Sequence, residues 1–279
     1  MTLYSPLHES TLMVDGLAVR CYDSDPESRE RPVVLLHGTG GSAEANFWSI
    51  FPMLAFTRRV IAFDFATPDP NVTIDDYRRQ AAEVIARLAP AGPVDLVGYS
   101  LGAVVAASLA GRRPDLVASL VLVAGWMKTN RHQRLRNDVW QHLDSTRAEV
   151  AADFAVFCAY SSQHLLSRNP REYAQILSSA RAARYDPRVM DLNRRIDVTD
   201  DVGNIVAPTL VVGCVHDQMV PIRHSHELFG AIADARFTAV DSGHAVVHER
   251  PAQLFVLIDE FVADPTATRS GSVLQPEHA

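Results

Sequence analysis

Long apolar runs are missing from this chain of 279 residues. A membrane-spanning helix needs roughly 18–20 consecutive apolar residues, and the strongest runs here, Pro32–Leu36 and Ser119–Ala124, have only strand length. The start, Met1-Thr2-Leu3-Tyr4-Ser5-Pro6-Leu7-His8-Glu9, lacks a basic stretch leading into an apolar one, so no secretory signal is read there. Cysteine is scarce. Cys21, Cys158 and Cys214 are odd in number, far apart and outside any C-x-x-C pattern, which excludes a disulfide framework and fits reduced thiols in a cytoplasmic protein. Basic excess is absent too: 26 Lys and Arg stand against 33 Asp and Glu, for a net charge of −7. That balance argues against a nucleic-acid partner. The chain is nevertheless 47% hydrophobic, too apolar to stay unfolded.

Short β-branched apolar runs recur at Val33–Leu36, Val60–Phe63, Val94–Val97, Leu120–Val123, Leu210–Val212 and Phe237–Val240. Continuous runs of this kind suit strands covered on both faces, as in a parallel sheet. Between them, Ile74–Leu88 carries Tyr77, Ala81, Val84, Ile85 and Leu88 at helical spacing, and Ala103–Gly111 and Gln253–Val262 also read as helices. The alternation predicts a doubly wound, mostly parallel α/β sheet. Thr11–Tyr22, turning at Asp15-Gly16, reads as an antiparallel edge hairpin. No good strand appears from Met127 to Val206, so this interval is expected to be a helical insertion. The expected organisation is a core of residues 1–126 and 207–264, a helical cap at 127–206 and a disordered tail at 265–279, rich in Thr, Ser and Pro.

The most informative stretch is Val94-Asp95-Leu96-Val97-Gly98-Tyr99-Ser100-Leu101-Gly102-Ala103. A bare G-x-S-x-G is common, but here it follows a strand and opens a helix, the context the motif requires. A sharp turn there strains Ser100 and lifts its hydroxyl above the sheet, while Gly98 and Gly102 keep Cβ atoms out of the crowded corner. Upstream, a strand runs into His37-Gly38-Thr39-Gly40-Gly41. Its exposed amides suit an oxyanion, and the best donors are the amides of Thr39 and Leu101. A phosphate loop is the rival reading, but G-x-x-x-x-G-K-[ST] is absent.

Downstream, Asp217 follows the strand at Leu210–Val212, and His244 follows the strand ending near Asp241. Loops at the carboxyl ends of such strands are where an open α/β sheet builds its site. The order Ser100, Asp217, His244 suits a nucleophile, an orienting acid and a general base. Asp241 is the runner-up acid. His37 is read as structural, and His216, His224, His226 and His248 as solvated. His224-Ser225-His226 lacks a third ligand for a metal, so no metal is expected.

With these residues in place the chain resembles the α/β-hydrolase superfamily, most nearly its capped esterases, lactonases, C–C bond hydrolases and cofactor-free haloperoxidases. The likeness rests on His37–Gly41, Gly98–Gly102, Ala207–Gly213 with Asp217 and Val220-Pro221, and Gly243-His244 with Glu249-Arg250-Pro251. Two departures stand out: Asp64 leads into Phe65-Ala66-Thr67-Pro68-Asp69-Pro70 without glycine, and Ala103 stands where a further glycine is usual. The resemblance implies a serine hydrolase without cofactor, acting on an ester, thioester or lactone of a small to medium-sized, largely apolar molecule. Trp126, Phe47, Trp48, Trp140 and Phe157 are the candidate substrate contacts. Phe154 and Tyr160 are further aromatics of the insertion, and its arginines (Arg136 among them) read as a mostly solvated face, one of which could meet an acidic substrate. Two alternatives stay open: a non-hydrolytic lyase, cyclase or C–C bond-cleaving enzyme on the same scaffold, and a non-catalytic binding protein. The expected partner is a small-molecule substrate, with no membrane; the oligomeric state is open, a homodimer among the options.

Overall fold

The computed structural model describes residues 7–275. Its strands are β1 (His8–Val14), β2 (Leu17–Asp23), β3 (Val33–Leu36), β4 (Val60–Phe63), β5 (Val94–Tyr99), β6 (Val117–Val123), β7 (Thr209–Cys214), β8 (Ala235–Val240) and β9 (Val273–Leu274). They form one sheet in the order β1-β2-β4-β3-β5-β6-β7-β8-β9. The β1–β2 and β2–β4 pairs are antiparallel, and all the others are parallel. This is the mostly parallel sheet that the apolar runs predict. The edge hairpin turns at Asp15 and Gly16, both with positive φ (49° and 79°), the backbone sense that matches strand twist in a two-residue turn.

Alternation along each strand feeds two cores. Val33 and Leu35 join the cluster of Ala43, Phe47, Ile50 and Phe51, whereas Val34 and Leu36 join that of Tyr77, Val84 and Leu109. The first face is covered by α1 (Ala43–Phe47), α2 (Ile50–Ala55), α12 (Val246–Glu249) and α13 (Pro251–Ala263). The second is covered by α3 (Ile74–Leu88), α4 (Leu101–Arg112) and α11 (Arg223–Ala231). Both faces are thus sealed, which is why the strands read as unbroken apolar runs.

Between β6 and β7 the chain forms α5 (Arg131–Thr146), α6 (Ala148–Ala159), α7 (Ser162–Ser167), α8 (Pro170–Ala182), α9 (Pro187–Arg194) and α10 (Thr199–Gly203). Trp140, Ala151, Ala155 and Met190 form its own small core. No helix of the described residues is long and apolar enough to cross a membrane.

The expected disordered tail differs from what is seen. Gly271 N donates to Ala235 O at 2.8 Å, and Val273 and Leu274 pair in parallel with Phe237 and Thr238. The buried Arg236 also donates to Thr268 O at 2.8 Å. Without this segment β8 would present an open row of backbone groups. Residues 276–279 lie outside the described residues.

The helix that matters most for the site, α4, is buried on every side from Leu101 to Ala110. Ser108 Oγ donates to Asp201 Oδ2 at 2.6 Å across the α4–α10 contact. Asp201→Ala strands that buried hydroxyl and is expected to cost about 1–3 kcal/mol. Asp201→Asn, which keeps an acceptor, is expected to cost less. Urea unfolding of the two variants checks this.

Candidate active site

Four strand ends converge at one edge of the sheet. After β5 the chain turns at Ser100 with φ 56° and ψ −119°, a backbone that a side-chain-bearing residue holds only when its surroundings enforce it. The enforcement is visible in two glycines. A Cβ on Gly98 would lie 2.6 Å from Ala103 Cα, and one on Gly102 would collide with the Leu36 carbonyl oxygen. Their absence lets α4 start directly above β3 and β5. Ser100 N donates to Val123 O at 2.9 Å, locking the turn to β6.

Ser100 Oγ lies 2.9 Å from His244 Nε2, and His244 Nδ1 lies 2.6 Å from Asp217 Oδ2. All three residues are buried. The other carboxylate oxygen, Asp217 Oδ1, accepts from Met219 N at 2.8 Å and Val220 N at 2.7 Å. One oxygen is therefore held by backbone and the other is left for the imidazole. A carboxylate at Nδ1 keeps the ring hydrogen there and leaves Nε2 to accept from the serine hydroxyl. Tyr99 OH donates to His244 O at 2.9 Å, with the two rings 5.5 Å apart. Burial pushes the Tyr99 phenol well above its usual range, and Asp217 adds to the rise, so it stays a neutral donor. The runner-up acid is elsewhere: Asp241 is exposed and pairs with His216 Nε2 at 2.7 Å.

The glycine-rich loop and the start of α4 face this serine. Leu101 is the first residue of α4, so its amide has no acceptor within the helix. The Thr39 amide makes no backbone hydrogen bond among the described residues, while Thr39 Oγ1 accepts from Asn193 Nδ2 of α9 at 2.9 Å. A Cβ at Gly38 would sit 3.1 Å from Ser100 Cβ, so this loop runs against the serine. His37 is structural in geometry: its Nδ1 lies 2.8 Å from Gly38 O and its Nε2 accepts from Phe65 N at 2.9 Å. Burial pulls its pKa below the usual value, which keeps the ring neutral and both bonds intact.

The candidate aromatics scatter. Phe47 packs in the core beneath the sheet, and Trp126 lies in the opposite core with Nε1 donating to Thr129 Oγ1 at 3.0 Å. Phe157 is 61% exposed and points to solvent. Trp48 is 41% exposed and donates to His248 Nδ1 at 3.3 Å. Trp140 is buried, edge-on to Tyr185 at 5.5 Å. Helical spacing alone does not say which face of the insertion looks inward. His224 also differs from the solvated reading: it is buried, with Nε2 2.9 Å from Asn130 Nδ2. Among the described residues no group of three or more His, Cys, Asp or Glu is placed to hold a metal ion.

Glu249, which in the sequence belongs only to a stretch that carries the likeness, holds two loops together in the structure. Its buried carboxylate accepts from Ser161 N at 2.8 Å, Ser161 Oγ at 2.6 Å and Gly243 N at 3.1 Å. It thereby ties the α6–α7 junction to the residue before His244. The available signal was an acid just before Arg250-Pro251, five positions after His244.

Comparison with known proteins bears on the family and the fold. The model of the alpha/beta hydrolase family matches residues 33–256. The pyrrolizixenacetamide deacetylase of Xenorhabdus hominickii is 27% identical over 242 residues, 82% of this chain and 90% of the relative. The "Putative carbamate hydrolase RutD" of Variovorax paradoxus is 33% identical, covering 76% of this chain and 84% of its own length. Among solved structures, the enol-lactonase of Burkholderia xenovorans superposes with a TM-score of 0.75 at 18% identity, over 91% of this chain and all of that one; at that identity the likeness speaks for the fold.

Glu249→Ala leaves three donors without their acceptor and is expected to lower stability by about 3 kcal/mol, within the range for buried groups so stranded. Glu249→Gln should recover part of the loss. Denaturant midpoints of the two variants decide it.

Proposed function

Since the chain belongs to the alpha/beta hydrolase family, we propose that it is a serine hydrolase whose nucleophile is Ser100. The observation that carries this reading is the continuous relay from Ser100 Oγ through His244 to Asp217, at 2.9 and 2.6 Å. His244 Nε2 takes the serine proton as Oγ attacks the acyl carbon, and Asp217 stabilises the imidazolium that results. The oxyanion of the tetrahedral intermediate is met by the amides of Leu101 and Thr39, and the positive end of α4 adds to their pull. His244 then returns the proton to the leaving group, which departs with an acyl-enzyme left on Ser100. Water attacks that ester, His244 takes its proton, and the carboxylic acid leaves with Ser100 restored.

The substrate class is an ester, thioester or lactone of small to medium size. A relative named for deacetylation and another named for carbamate hydrolysis extend the leaving group to an amine. Helices α5–α9 act as the cap. This is supported by the Asn193–Thr39 bond, by Glu249 holding Ser161, and by Ala245 N donating to Ala159 O at 2.9 Å.

A fluorophosphonate probe read by intact mass is expected to leave one adduct, on Ser100, and none on Ser100→Ala. On a p-nitrophenyl ester series, kcat/KM is expected to fall at least about 10⁴-fold in Ser100→Ala and His244→Ala. A wild-type protein that neither labels nor cleaves any activated ester overturns the hydrolase, and full activity in His244→Ala overturns the relay. Labelling without ester turnover favours non-hydrolytic chemistry with His244 as the base.

A further inference from the structure

The arginines of the helical segment are nearly all accounted for. Arg181 pairs with Asp153, Arg188 with Asp186, Arg194 with Asp138 and Arg195 with Asp191. Arg131, Arg147 and Arg171 point into solvent. Arg136 does neither. It is partly buried on α5, its Nε is wholly enclosed, and that atom has no hydrogen-bond partner among the described residues. A guanidinium cannot shed its proton to escape this situation.

The face of α5 that carries it looks toward the site. Trp140, one turn on, packs edge-on against Tyr185 at 5.5 Å and clusters with Met219, two residues beyond Asp217. Tyr185 in turn presses on the glycine-rich loop, where a Cβ on Gly40 would collide with its ring. The side-chain oxygens of Asn137, next to Arg136, and of Asn193, which reaches Thr39, are likewise buried without partners. Burial pulls the Arg136 pKa down, while Cys158, Asp217 and Tyr185 pull it the other way.

We propose that Arg136 is the recognition residue for an anionic group on the substrate, a carboxylate carried on the acyl side, held in the cap while Ser100 reacts. A planar, unpaired guanidinium with its Nε enclosed fits the two oxygens of a carboxylate and disfavours neutral chains of the same length. This deepens the hydrolase reading and rests on it, since it names the substrate class of that same site.

The test compares p-nitrophenyl esters of neutral acyl chains with mono-p-nitrophenyl succinate, glutarate and adipate, in wild type, Arg136→Leu and Arg136→Lys. The wild type should prefer one carboxylated ester through a lower KM. Arg136→Leu should cut the ratio of carboxylated to neutral kcat/KM at least about tenfold, the scale of a lost charge-assisted contact, and Arg136→Lys should regain part of it. A second arm is independent of turnover: calorimetric titration of Ser100→Ala with monomethyl glutarate, with and without Arg136→Leu. Binding weakened at least about tenfold by Arg136→Leu supports the proposal. A ratio unaltered by Arg136→Leu, no wild-type preference, or equal binding to both proteins overturns it. Failure of fluorophosphonate labelling with Arg136-dependent binding intact would instead remove the hydrolase reading and leave the anion site standing.

Discussion

The close approach of α4 to the ends of β3 and β5 is the constraint on which the rest of the structure depends. It exists only because Gly98 and Gly102 carry no side chain where Ala103 and the Leu36 carbonyl pass. The approach forces Ser100 into a left-handed backbone, a strain of order 1–3 kcal/mol. Against it stands the burial of Leu101, Val104, Val105 and Leu109 on the same helix, each contributing roughly 1.5–3 kcal/mol. The packing term is larger, so the helix keeps its place and the serine bears the strain. Strain of this kind is useful, because it presents the hydroxyl and the first free amides of α4 to the same small volume.

Two buried carboxylates lie close to this volume, and each is served by its own donors. Asp217 divides its oxygens between two backbone amides and the His244 ring. Glu249 gives both of its oxygens to Ser161 and Gly243. Removing a carboxylate from water costs several kcal/mol unless such bonds replace hydration, so each loop is held in the one arrangement that satisfies its acid. The consequence reaches beyond the loops. Asn193 binds Thr39, Ser161 binds Glu249, and Ala245 binds Ala159. The helical segment is thus stitched to the very loops that carry Thr39 and His244.

The sheet was legible because strands buried on both faces are continuous apolar runs, with nothing in the alternation to obscure them. Ser100, Asp217 and His244 were legible for a related reason: each follows such a run directly, so their common edge can be inferred from order alone. What failed depended on facing rather than placement. Phe154 and Phe157 are three positions apart on α6, yet Phe154 packs in the small helical core and Phe157 is exposed. The C-terminal strand was missed because an edge strand needs backbone hydrogen bonds more than apolar side chains, and Ser, Thr and Gly conceal them. The bonds of Glu249 were not legible because its partners, Ser161 and Gly243, are brought to it only by the fold.

The proposed anion site departs from the expectation of a largely apolar substrate. An apolar ligand against Arg136, Asn137 and Asn193 would leave their enclosed polar atoms unpaired, at a cost of about 1–3 kcal/mol for each neutral group and more for the charge. A ligand that pairs with them recovers that cost and gains contrast, because a site built around polar partners rejects analogues lacking them far more strongly than an apolar pocket rejects a missing methylene. Of the aromatics named as candidate contacts, Phe47, Trp126 and Trp140 are buried in packed clusters and Phe157 is largely exposed. Among Arg136, Asn137 and Asn193, Arg136 alone carries a charge that it cannot lose.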